Sequence, residues 1–102
     1  MKSFCLQCGA NHIDNQYGHI SGIKVGRICC VEAYSQSPGT ITITRRPNDF
    51  SVNTQLAAIT IGADGCGMAS DVDKMINYGD VITVSGIPVE GNNKYRVVCF
   101  YE

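Results

Sequence analysis

Two cysteines near the N-terminus stand at the spacing that chelates a metal: Cys5-Leu6-Gln7-Cys8-Gly9 is a C-x-x-C-G. Two thiolates so placed can hold one Zn²⁺, and the glycine eases the turn around the second sulfur. A closed site needs two more ligands, and His12, His19 and one of Cys29 or Cys30 are the candidates. Cys8 and Cys29 are separated by 20 residues, near the upper end of zinc-ribbon spacing. The second half is an adjacent Cys29-Cys30, however, and neighbours on a strand point to opposite faces. The expected metal set is therefore Cys5, Cys8 and His12 with Cys29 or Cys30. The competing reading is a group of free thiols acting as small hydrophobes.

Other residues suggest chemistry less strongly. Cys66 sits between Gly65 and Gly67, where a nucleophile could be exposed on a tight turn. His12 and His19, its potential bases, are distant in sequence, and no third group orients them. A thioredoxin-like role for Cys5 and Cys8 would need a strand-to-helix context that is missing. Asp64, Asp71, Asp73 and Asp80 do not follow the calcium-loop register, and capping or turn formation accounts for them. No catalytic residue is assigned, and the chain is expected not to be an enzyme.

The elements that must position these groups read as strands. Eleven Ile and nine Val outnumber two Leu, three Met and six Ala, and β-branched side chains suit a pleated surface. Eleven Gly and seven Asn supply turns. At 102 residues the chain holds one domain with a modest core. A net charge of -1 argues against nucleic acid as a partner. No run approaches the roughly 18 to 20 apolar residues of a membrane span. The N-terminus has no continuous apolar h-region, so no signal peptide is expected and the thiols should stay reduced or metal-bound.

Along the chain, residues 1–19 have no clean period and read as a loop or Cys/His knuckle appended to the domain. Residues 20–34 read as one strand or a bent pair, with Gly26 as the bulge. Thr40 to Arg46 alternates strictly, Ile41 and Ile43 against Thr40, Thr42 and Thr44. Leu56 to Ala63 is a further strand, and Phe50 and Val52 are expected to dock the loop before it. Residues 70–77 predict the one helix, with Ser70 as N-cap and Val72, Met75 and Ile76 on one face. Asp80 to Gly86 and Lys94 to Tyr101 predict an antiparallel hairpin. In its second strand Tyr95, Val97, Cys99 and Tyr101 share one face, and Val98 and Phe100 the other. Such a strand needs cover on both sides, inside a two-layer domain or at an interface. The fold class is mainly β: a small barrel or sandwich with one short helix.

The segment Gly79-Asp80-Val81-Ile82-Thr83-Val84-Ser85-Gly86, followed by Gly91-Asn92-Asn93-Lys94-Tyr95-Arg96-Val97-Val98, resembles a hairpin of tailed-bacteriophage structural proteins. Its pattern there is GDTITVSG then NNGTYTV, in β-rich tail, head–tail or capsid-decorating proteins. Lys94 stands where that pattern has Gly-Thr, and the Ile87-Pro88-Val89 loop is longer and more apolar. The resemblance covers about one fifth of the chain. It implies a virion component made in the bacterial cytoplasm, oligomeric, packing on itself and on other virion proteins, with no membrane and no cofactor. The contact residues expected on this reading are Val89, Tyr95, Val97, Phe100 and Tyr101. The alternative is a zinc-stabilised protein-binding or regulatory module.

Overall fold

The structure is a computed structural model that describes residues 2–8, 18–20, 25–86 and 94–102; the side chains of residues 7, 8, 18–20 and 25 lie outside that description. The described residues form nine strands: β1 (Lys2–Cys8), β2 (Gly18–Ile20), β3 (Val25–Ser35), β4 (Gly39–Arg46), β5 (Thr54–Ile61), β6 (Cys66–Ala69), β7 (Lys74–Asn77), β8 (Val81–Gly86) and β9 (Tyr95–Tyr101). They build two antiparallel sheets. One runs β1-β9-β3, with β6 and β7 side by side along the far edge of β3. The other runs β2-β8-β4-β5.

Period-two patterning closes the two sheets on one core. Leu6, Ile28, Val31, Ala33, Ile76, Val97 and Cys99 enter it from the first sheet, and Ile41, Ile43, Ile59, Ile61, Ile82 and Val84 from the second. Burial of each Ile or Leu stabilises by about 1.5–3 kcal/mol. The threonines of β4 stay on the other face, as alternation requires. At Gly67, β6 crosses β5 so closely that a Cβ would lie 2.5 Å from the Thr60 carbonyl oxygen. Only glycine permits that approach.

Four expectations are corrected. Residues 70–77 are not helical: Lys74–Asn77 is β7, paired with β3. Val72 and Ile76 stand four apart, an even number, so the pair fits one face of a strand as well as of a helix. Met75 decides between them, being 46% exposed beside a fully buried Ile76. Residues 2–8 are a full strand rather than a knuckle, because Phe4 and Leu6 turn inward; residues 9–17 lie outside the described residues. The bulge in β3 falls between Ile28 and Cys30, not at Gly26. Finally, β8 and β9 do not pair with each other. β8 lies between β2 and β4, and β9 between β1 and β3, so the chain changes layers between them. Their eight-residue connection exceeds the two to five residues of a tight hairpin. It is long enough for the roughly 10 Å between packed sheets.

Candidate functional site

The end of the molecule where β4 stops and β8 starts is built around one carboxylate. Asp80 is fully buried and faces Arg45, whose Nε lies 2.6 Å from Oδ2. Two backbone N–H groups also donate to it, Asn77 at 2.7 Å and Asn48 at 2.9 Å. Burial pushes the Asp80 pKa up, but hydrogen bonds from Asn77, Arg45 and Asn48, with the Arg45 charge, outweigh it and hold the pKa below the usual carboxylate range. Gly79 takes φ +86°, closing the turn in which the Asp80 N–H donates to the Asn77 carbonyl. The Asn48 side-chain amide donates to the Tyr78 carbonyl across the same gap. One carboxylate thus ties β4, the loop after it and the β7–β8 turn together.

That loop presents apolar groups to solvent. Pro47 ends β4, and the Phe50 N–H donates back to the Pro47 carbonyl at 3.1 Å. The Asp49 carboxylate accepts from the Ser51 N–H at 3.0 Å. These bonds hold Phe50 at φ +62°, a left-handed conformation uncommon for a bulky residue. Its ring is 97% exposed, with Val52 at 85% and Tyr78 at 65%. A cleft of about 480 Å³ runs between Arg46, Asn48, Phe50 and Val81. The expectation that Phe50 and Val52 dock a loop is therefore corrected: both project outward. Sequence reasoning missed this patch as a surface. Its signal was two large apolar residues inside Pro47-Asn48-Asp49-Phe50-Ser51-Val52-Asn53, a turn-forming run with no period.

The expected contact residues divide. Tyr95 and Val97 are buried in the chain's own core, so they are not available to a partner. Tyr101 points inward and packs beside Phe4, ring centroids 5.9 Å apart. Phe100 is half-buried on the opposite, outer face. Val89 lies outside the described residues.

The thiols also divide. Cys99 is fully buried, and burial, with the Cys5 and Cys30 charges, pushes it up to about 12. Strand register places Cys5 and Cys30 on the outer face of the first sheet, in neighbouring cross-strand rows. Cys29 sits in the β3 bulge and donates to the Arg27 carbonyl at 3.4 Å. Cys30 is raised by burial, then by Glu32 and Cys29. Cys66 is exposed, and its hydrogen bond to Asp64, together with that carboxylate's charge, raises it. A raised pKa disfavours the thiolate that nucleophilic chemistry requires. His12 and the Cys8 side chain lie outside the described residues. Among the described residues, no three His, Cys, Asp or Glu side chains gather where they could hold a metal ion. No helix among them is long and apolar enough to cross a membrane. No protein-family model matches this chain, and no curated protein matches it in sequence.

Proposed function

We propose that this protein is a non-enzymatic structural subunit of a tailed-bacteriophage particle, working by packing its surface against copies of itself and neighbouring subunits. The observation that carries the reading is the apolar end: Phe50 and Val52 stand in water on the loop after β4 and Tyr78 on the β7–β8 turn, the two tied together at the buried Asp80 carboxylate. Exposed apolar groups on a rigid mount are what a subunit interface needs before assembly. The resemblance of Gly79-Asp80 and the strand after it to phage structural proteins supports the same reading. The raised thiol pKa values of Cys30, Cys66 and Cys99 fit the non-enzymatic part of the reading alone, because they disfavour the thiolate.

Sedimentation velocity over a wide concentration range tests it. The chain should form assemblies whose share rises with concentration, and Phe50→Asp should shift them to smaller species while leaving circular dichroism and the melting midpoint unchanged. A monomer at every concentration, with Phe50→Asp indistinguishable from it, overturns the proposal. Native mass spectrometry on the same sample reads bound metal. One zinc per chain, lost in Cys8→Ser, would replace this reading with that of a zinc-stabilised binding module.

A further inference from the structure

We infer that β1 is a self-pairing edge: two copies of the chain join antiparallel along β1, in a register centred on Cys5, and extend the first sheet across a two-fold axis. The inference rests on the assembly reading above and adds the strand, the register and the symmetry.

Backbone directions on β1 follow from bonds farther along the sheet. Arg27 and Glu102 exchange two backbone hydrogen bonds of 3.0 Å, and the Lys94 carbonyl accepts from the Gln36 N–H at 3.1 Å. In an antiparallel ladder, successive residues alternate in which neighbour they bond. Even-numbered residues of β9 therefore bond β3, and the odd-numbered ones bond β1. Tyr101, Cys99, Val97 and Tyr95 stand opposite Lys2, Phe4, Leu6 and Cys8. The even-numbered residues of β1 thus bond β9. Ser3, Cys5 and Gln7 aim their N–H and C=O groups at the open edge, where no strand pairs among the described residues.

Those three residues are spaced symmetrically about Cys5. When two β1 strands meet antiparallel about that residue, Cys5 faces Cys5, and Ser3 faces Gln7 in both directions. Every outward donor then meets an outward acceptor, and the contact is its own two-fold mate. Lys2, the one charge in β1, falls opposite Cys8 rather than opposite another lysine. The strand itself also lacks the usual protections against pairing. β1 has no proline, no interior charge and an unbroken register with β9. The other edges are guarded. β2, β6 and β7 have only three or four residues, and β5 is crossed by β6 at Gly67.

The side chain of Cys5 is exposed and serves as the reporter. Directly opposed residues bring their Cβ atoms within about 5 Å, inside the reach of the thiol cross-linker dibromobimane. Full-length protein treated with it should give a covalent dimer that is absent in Cys5→Ser. Cys5→Lys, which sets two ammonium groups face to face, should abolish the β1 contact with circular dichroism unchanged. Cys5→Pro should do the same, because that N–H points away from β9 and its loss spares the β1–β9 ladder. If the wild type self-associates, yet cross-linking persists in Cys5→Ser or Cys5→Lys assembles normally, the β1 inference is overturned and the assembly reading stands. If the wild type is monomeric at every concentration, both fall.

Discussion

Two arginines in this chain meet carboxylates, and their surroundings make them opposites. Arg45 reaches Asp80 at 2.6 Å with the carboxylate fully buried. Arg27 reaches Glu102 at 3.0 Å and Asp73 at 3.6 Å, with all three side chains at least half exposed. The chemical pair is the same in both. In the first, the carboxylate has been taken out of water, and it depends on Arg45 and on two backbone donors. In the second, water can replace either partner. Burial, not the presence of an ion pair, decides which arrangement shapes the molecule.

The largest expected effect follows at Asp80. Asp80→Asn leaves Arg45 without its counter-charge and replaces an acceptor of three hydrogen bonds with a neutral amide. Removing one partner of a buried pair costs about 3–5 kcal/mol. Urea unfolding of Asp80→Asn should show a midpoint lowered accordingly. Because Asn48 and Tyr78 share that centre, the loop carrying Phe50 should lose protection from amide exchange as well. A change below about 1 kcal/mol would mean that water reaches Asp80, and the contrast with Arg27 would collapse.

A second prediction uses pH. The folded-state pKa of Asp80 is depressed below its ordinary 3.8. Its stabilising contribution is therefore complete above the unfolded-state value and is lost as pH falls through the folded one. The stability gap between wild type and Asp80→Asn should stay constant from pH 5 to 8 and shrink below about pH 4. A gap that narrows instead between pH 6 and 8 would assign it to some other group.

The sequence displays the local half of this architecture and hides the distant half. Ile41 and Ile43 announce β4 because period two is written in neighbouring residues. Tyr95, Val97 and Cys99 announce the inner face of β9 for the same reason. The partners of those strands are not local. Within residues 80–101 only the length of the connection hints that β8 and β9 belong to different sheets, because either pairing buries the same alternating faces. Residues 70–77 misled because even spacing satisfies helix and strand alike, and the long edge of β3 that β7 completes lies some 50 residues away in sequence. Asp80 was legible as a turn residue next to Gly79. Its role depends on Arg45 and Asn48, more than 30 residues earlier. Phe50 was visible as an apolar residue in a turn, but its direction came only from the bonds that brace the loop.

The smallest expected effect is at Glu102. Its backbone exchanges two hydrogen bonds with Arg27 that no side-chain substitution removes. Glu102→Gln therefore deletes only the exposed charge, and Asp73 remains beside Arg27 to take up part of the interaction. The hydrogen bond to Glu102 is the chief cause of the raised Arg27 pKa, with Asp73 next. At 50% exposure that shift is screened by water and carries little stability. The melting midpoint of Glu102→Gln should lie within about 1 °C of wild type, and any difference should vanish at high salt as the Debye length contracts to about 3 Å. A loss comparable to that of Asp80→Asn would show that the chain end is held by its charges rather than its backbone, and would put both arginines in one class.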